Sequence, residues 1–479
     1  MSISPAPPRA TLLLLAYLAF VSLGLPDGLL GVGWPSIRAD LGVPTEAVGL
    51  LLTAGTVGYL TSSVLAGFTL ARVGVGALLA GSTLLASLAL TGYAVSPGLV
   101  VLVGCALLLG LGSGAVDSGL NAYAAGAFGP RHMNWLHAFF GLGVAIGPLI
   151  MTAALSAGLA WRWGYGIVSG AQLALATAFA LTVRAWQRRD PAPEAGGATT
   201  GAAQAVRVPV LATLRLPAVW SGALAFALYV AIEVSAGLWA FLLLTQGRGL
   251  SAAVAGGCVS AYWGSLFVGR VVQGVVAERL GPRLVLRVSL AGMAVGAALI
   301  AVPGSAALAV LGLVVVGFAA APVFPLLTLT TADRVGAAHA DRAIGLQIGA
   351  SGLGAALVPG GLGVLISTMS VQVLGPALVV LALALILLYE LGARRPAAGG
   401  GPGQTDAAAG SERTGATSGP GQTAAGSERT GATSGPGQTA AGSERTGSGA
   451  AGAPAQSRTS APDADYPLSG PVRPVVDGR

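Results

Sequence analysis

The chain has 479 residues, of which 54% are hydrophobic and only 9% charged, with a formal net charge of +7. A water-soluble domain carries roughly 25% charged residues, so the composition excludes a soluble globular protein and points to a polytopic membrane protein. The basic residues are all arginines, which removes the Gly-Lys pair of a phosphate-binding loop and an ATP motor of that kind, and topogenic charge explains the basic balance better than nucleic acid does.

A run of about 20 apolar residues crosses the hydrocarbon core. The sequence holds twelve such runs, over 11–33, 46–70, 75–95, 99–126, 134–157, 164–186, 218–245, 251–277, 284–302, 305–332, 342–368 and 371–391. The first follows Arg9 and lacks a clean small-residue cleavage site, so it reads as a retained helix rather than a secretory signal. A polar segment, 187–216, is the expected cytoplasmic linker between a first half, 10–186, and a second half, 217–391. From 392 to 479 the chain turns to Gly, Ala, Ser, Thr and Pro, with GPGQT recurring at 401, 419 and 435 and SERTG at 411, 427 and 443. Such a segment has little apolar surface to set against its ordering entropy and is expected to be a disordered cytoplasmic tail.

When the loops are sorted alternately, Arg38, Arg162 and Arg248 fall on one side, and Arg9, Arg72, Arg131, Arg184, Arg279, Arg283, Arg334, Arg394 and others fall on the opposite one. The positive-inside rule then places both termini in the cytoplasm of a multi-pass protein of the cell membrane.

Three acids stand alone in apolar runs: Asp27 in span 1, Asp117 in span 4 and Glu233 in span 7. A charge at the centre of a membrane helix costs about 2.5–3.5 kcal/mol on insertion scales, so each is expected to face a partner, a proton or an aqueous cavity. Cys105 and Cys258 lie in apolar spans with no metal or disulfide spacing and read as packing residues. No nucleophile–base pair, metal constellation or cofactor motif is recognisable, which argues against an enzyme.

The halves repeat each other. Gly67-x4-Arg72-Val73-Gly74 after span 2 returns as Gly274-x4-Arg279-Leu280-Gly281 after span 8, an offset of 207. Gly141-Leu142-Gly143-x4-Pro148 in span 5 returns as Gly352-Leu353-Gly354-x4-Pro359 in span 11, and Asp27 and Glu233 are 206 apart. An equivalent offset, between these and the 211 that separates Gly141 from Gly352, carries Asp117 into span 10 near Leu327, where there is no acid. Two parallel six-helix halves of this kind resemble the major facilitator superfamily over about residues 10–391. The resemblance implies an all-α membrane fold of twelve helices in which helices 1, 4, 7 and 10 line a central cavity. Within the superfamily, SLGLPDGLLGVGWPSI, GLGSGAVDSGLNAYAA and RHMNWLHAFFGLGVAIGP resemble the fucose permease branch, whose members are sugar–proton symporters.

Asp27 follows Pro26 and precedes Gly28, where the helix loses a backbone hydrogen bond. The resemblance implies a substrate or proton role there; a kink acid bonded to nearby backbone is the alternative. Asp117 and Asn121 share one helical face, and a carboxyl group in a poorly solvated cavity can take up a proton near neutral pH, so Asp117 is expected either to carry the proton or to anchor helix 1 or 5. Glu233 is the second coupling candidate. Trp34 and Trp239 occupy nearly equivalent places and either stack on substrate, with Asp27, Asn121 and Glu233 nearby, or anchor the membrane interface.

His137 is a capping residue or a proton relay. Arg270 either snorkels or pairs with an acid, and Gln172, Gln273 and Gln347 are expected to bond across helices. Gly67, Arg72, Glu278, Arg279, Gly281 and Arg283 resemble the superfamily's cytoplasmic latch, degraded in its first copy by Ala71, or they supply topogenic charge alone. Gly141, Gly143, Gly147, Pro148, Gly352, Gly354 and Pro359 are expected to allow close helix packing, and Gly143-x3-Gly147-Pro148 also resembles the helix 5 motif of proton-coupled exporters. The expected function is monomeric, proton-coupled transport of a small polar solute, with a sugar foremost. A drug- or metabolite-exporting proton antiporter and a non-transporting sensor are the rivals.

Overall fold

The computed structural model describes residues 10–128, 130–186 and 209–393. The predicted tail, apart from its first two residues, and all but the end of the predicted linker lie outside that range.

The helices follow the apolar runs. The first, α1 (Ala10–Leu41), extends eight residues past the predicted end because Trp34 and Ile37 beyond that end are buried, at 2% and 0% exposure. At 1.5 Å per residue its 32 residues reach about 48 Å, so its polar last turn clears the hydrocarbon. A single helical segment, Val48–Val95, is broken at Gly74, whose φ of 76° and ψ of 167° are not helical, and it therefore makes two crossings, α2 (48–73) and α3 (75–95). Then follow α4 (Leu99–Ala127), α5 (Pro130–Ser156) and α6 (Trp161–Thr182). The second half has α7 (Pro217–Leu242), α8 (Ala252–Leu280), α9 (Pro282–Ala301), α10 (Ala306–Ala320), α11 (Ala337–Thr368) and α12 (Leu374–Ala393). After a turn at 321–322, α10 is continued by Val323–Leu329.

Eleven segments among the described residues are long and apolar enough to span a membrane; Thr45–Val95 is one of these and supplies two crossings, which gives the predicted twelve. Gly281, between α8 and α9, has a φ of 80° and a ψ of 147°, nearly the conformation of Gly74. This region of backbone space is essentially restricted to glycine, which gives a physical reason for the motif's return at an offset of 207.

Matched positions in the two halves, 206 to 211 residues apart, also make matching interior contacts. Gly110 on α4 lies against the backbone of Gly55 on α2, and Gly317 on α10 lies against that of Tyr262 on α8. Gly143 on α5 meets Val21 on α1, and Gly354 on α11 meets Ala227 on α7. In each pair a Cβ on the glycine would overlap the neighbour's carbonyl oxygen, so the absence of a side chain sets the approach of the two helices. Because Gly110 and Gly317 correspond, the counterpart of Asp117 is Phe324, three residues before the position inferred from sequence. Phe324 packs edge-on against Phe226, with ring centroids 5.1 Å apart.

The halves meet through α1 with α7, α2 with α11 and α5 with α8. A Cβ on Gly31 would stand 3.0 Å from the carbonyl oxygen of Leu238, one on Gly49 would stand 3.1 Å from Cα of Gly360, and one on Gly256 would overlap Thr152. Ser260 Oγ donates to the carbonyl oxygen of Ala145 across the same seam. These contacts lie toward the end of the bundle that carries loop 42–47. Toward the opposite end, Gly345 and Gly349 on α11 have no described neighbour within 4 Å of a built Cβ. Between α2 and α11 the seam is therefore sealed at the end that carries 42–47 and parts toward the end that carries 209–216, while α5 and α8 remain in contact there through His137 and Arg270.

Each half is also stapled at its sealed end. Arg162 at the start of α6 pairs with Asp40 at the end of α1 and donates to the carbonyl oxygen of Ser96 after α3 at 3.0 Å. In the second half Arg248 donates to Gln372 before α12, and to the carbonyl oxygens of Ile300 and Val302 at the end of α9 at 2.9 and 3.0 Å. The arginine has changed helix between the copies, yet in both it ties together the corresponding three helices.

Candidate functional site

The acids sit inside the helix bundle, each with tyrosines of its own half about it. Asp117 on α4 accepts from the hydroxyl of Tyr59 on α2 at 2.6 Å and from Nδ2 of Asn121, one turn on, at 3.0 Å. Both carboxyl oxygens therefore have donors. The carbonyl oxygen of Asn121 is buried without a partner among the described residues.

Asp27 differs. Pro26 and Gly28 are buried, yet the Asp27 side chain is solvent-accessible and makes no hydrogen bond to the described residues. It lies within electrostatic reach of Tyr59, Tyr93 and Tyr165, so it lines an aqueous space inside the protein. A membrane acid tolerates such a position because water solvates it. Close packing places it there: a Cβ on Gly28 would come within 2.7 Å of Pro148 Cδ, which holds α1 against α5 and turns Asp27 away from that contact.

On α7, Glu233 accepts from the hydroxyl of Tyr229, one turn earlier, and its backbone carbonyl accepts from Tyr262 on α8 at 2.7 Å. Arg270 on α8 lies within electrostatic reach of Glu233, and its Nη1 donates across the halves to the carbonyl oxygen of His137 at 3.2 Å. The His137 imidazole feels both Arg270 and Asp117. Titratable groups thus run in sequence from Asp27 and Tyr59 through Asp117, His137 and Arg270 to Glu233, crossing from one half to the other.

Other expected site residues are placed elsewhere. Trp34 and Trp239, which the sequence offers as stacking faces, are 2% and 1% exposed. Their indole N–H groups donate to the carbonyl oxygens of Thr45 at 2.9 Å and Pro359 at 3.0 Å, so both rings pin helix ends. Trp239→Phe keeps most of the packing and removes the N–H, while the Pro359 carbonyl, inside α11, keeps its helical donor. A loss of about 1 kcal/mol of stability, read as a lowered melting temperature, with unchanged substrate affinity, is the expected result.

Gln172 donates to the carbonyl oxygen of Ser22 at 2.9 Å, and Gln347 accepts from Thr331 at 3.0 Å; the Gln273 side chain is outside the described residues. In the latch-like segments, Gly67 and Arg72 are exposed, as is Arg279. Arg283 approaches Asp333 at 3.9 Å with both side chains mostly exposed, a geometry worth little in stability. The Glu278 side chain is not described. Gly141 faces Phe267 at 3.7 Å and Gly352 faces Thr56 at 3.1 Å from built Cβ positions, while Gly147 lies against the carbonyl of Leu25.

Sequence reasoning missed the tyrosines. Tyr229 precedes Glu233 by one helical turn and was within reach of an i, i+4 search. Tyr59 and Tyr262 come from neighbouring helices, and nothing near them in sequence announces their role. A cleft of about 750 Å³ at the sealed end, lined by Arg38, Glu46, Gln246 and Ser367 among others, contains none of the three acids.

Twelve crossings in two matched halves are the architecture of a secondary transporter and of a multi-pass membrane protein. The chain matches the family model of the Major Facilitator Superfamily over residues 16–359 and 236–426, and it belongs to that family. In fold it is similar to nucleoside transporter NupG, with a TM-score of 0.59 at 15% identity, covering 80% of this chain and 100% of that one. A mutant of NupG gives a TM-score of 0.65 at 14% identity, with the same coverage. A bacterial homologue of the human lysosomal transporter Spinster, in an inward-facing and occupied conformation, gives 0.62 at 15% identity, covering 82% of this chain and 98% of that one. No curated protein sequence matches.

Proposed function

We propose that this protein moves a small polar organic solute, in the sugar class, across the cytoplasmic membrane by proton-coupled alternating access, with both termini in the cytoplasm. The observation that carries the reading is the run of titratable groups from Asp27 to Glu233 across the seam. Protonation removes the cost of an uncompensated charge in a closing cavity, so proton binding and closure of the halves are thermodynamically linked. In the cycle, Asp117 takes up the proton with the cleft open to the outside and loses it to the cytoplasm, Asp27 and Asn121 meet the solute, and Glu233 answers from the second half. The three stretches that resemble the fucose permease branch favour sugar symport.

The test is substrate-induced proton flux. Purified full-length protein in proteoliposomes receives sugars, including fucose, and nucleosides, while external pH is followed. Symport alkalinises the medium as solute enters. Acidification would instead establish the exporter reading, which draws on the packing of Gly147 and Pro148 against α1. Solute flux without proton movement would refute proton coupling. A sensor would show neither flux, and its output would depend on 392–479.

A further inference from the structure

Arg270 is a cation in the central cleft that the proposed cycle does not use. It is half-buried on α8, and its Nη1 donates to the carbonyl oxygen of His137 in the opposite half at 3.2 Å. Gly141 on α5 lies beside it: a Cβ there would stand in ordinary contact with that same nitrogen, at 3.8 Å. None of the ion pairs among the described residues involves Arg270. The acids about it are engaged elsewhere, Glu233 by Tyr229 and Asp117 by Tyr59 and Asn121. The remaining guanidinium N–H groups have no acceptor among the described residues, and none of those nitrogens is sealed from solvent. An uncompensated guanidinium at membrane depth is costly, and its planar fork matches a carboxylate in a bidentate pair.

We propose that Arg270 docks a carboxylate carried by the transported solute, so that the substrate is a sugar acid rather than a neutral sugar. This deepens the proposed function and rests on it. The charges explain the coupling. The groups facing Arg270 are His137 on α5, Glu233 and Tyr229 on α7, and Tyr262 on α8; Asp117 on α4 lies on the far side of His137. With Glu233 ionised, an incoming anion meets a like charge beside the guanidinium; with Glu233 protonated, the guanidinium alone remains and the carboxylate neutralises it. Binding of the acid therefore requires a proton. The hydroxyls of the solute are left to Asp27, which is solvent-accessible and has no protein hydrogen-bond partner among the described residues.

The experiment is thermal stabilisation of the purified full-length protein by D-gluconate and D-glucuronate, against D-glucose and D-glucitol of the same carbon number. The acids are expected to raise the melting temperature, more strongly at low pH, and the neutral compounds are not. Arg270→Gln is expected to weaken acid binding by about 30-fold or more, and Arg270→Lys is expected to restore part of it. Should Arg270→Gln fail to fold, the wild-type comparison of acid with neutral compound decides. Equal stabilisation by neutral sugars, or none by either class, overturns the inference. Proton flux driven by a neutral sugar in proteoliposomes would still leave the proposed function standing, so the two failures are distinguishable.

Discussion

Asp117→Asn is expected to abolish solute accumulation driven by a pH gradient while leaving solute exchange across the membrane within a few-fold of wild type. The substitution preserves shape, and the site can accommodate it. The new amide oxygen still accepts from Tyr59, and its NH2 group can donate to the side-chain oxygen of Asn121 once the Asn121 amide, whose Nδ2 now faces Asp117, turns over. It removes the capacity to gain and lose a proton. A pH difference of one unit is worth about 1.4 kcal/mol per proton, or about tenfold accumulation, and this should fall to parity. Uptake of labelled solute into proteoliposomes with an imposed gradient, read beside counterflow with no gradient, separates the two properties. Accumulation that survives intact would move the coupling proton to Asp27 or Glu233.

The second large effect is structural. Gly143→Val and Gly354→Val are each expected to reduce the folded yield severely and to stop transport. The Cβ of either would overlap a backbone carbonyl, that of Val21 or Ala227, and backbone cannot swing aside as a side chain can. Overpacking costs roughly 1–3 kcal/mol, and more where nothing yields. The partner helices α1 and α7 carry Asp27 and Glu233, so relief by helix displacement would move the acids themselves. Gly166→Val serves as the control, since no described atom lies within 4 Å of its built Cβ. Size-exclusion profiles and melting temperatures of the three variants provide the measurement. A monodisperse, active Gly354→Val protein would show that the helix contact is looser than described.

Much of this organisation is legible in a single sequence because the bilayer imposes it. Apolar runs of sufficient length must become helices whose backbone polar groups are satisfied internally, so the twelve crossings follow from hydropathy. The repeat is readable because its glycines are fixed by backbone requirements: Gly74 and Gly281 by conformation, Gly143 and Gly354 by close approach. The boundaries are less legible. Hydropathy ends span 1 near Gly33, whereas burial of Trp34 and Ile37 carries the helix to Leu41.

What the sequence by itself determined is membership of the membrane class, the crossings, the two related halves and the rarity of three intramembrane acids, because each depends on the cost of placing particular groups in hydrocarbon. Only the tertiary structure decided what those acids meet. Tyr59 reaches Asp117 from another helix, Arg270 reaches His137 from another half, and Phe324 stands where symmetry would place a fourth acid. Trp34 and Trp239 turn to backbone carbonyls in the packed interior. These are outcomes of side-chain direction and helix approach between segments far apart in the chain, and no local pattern encodes them.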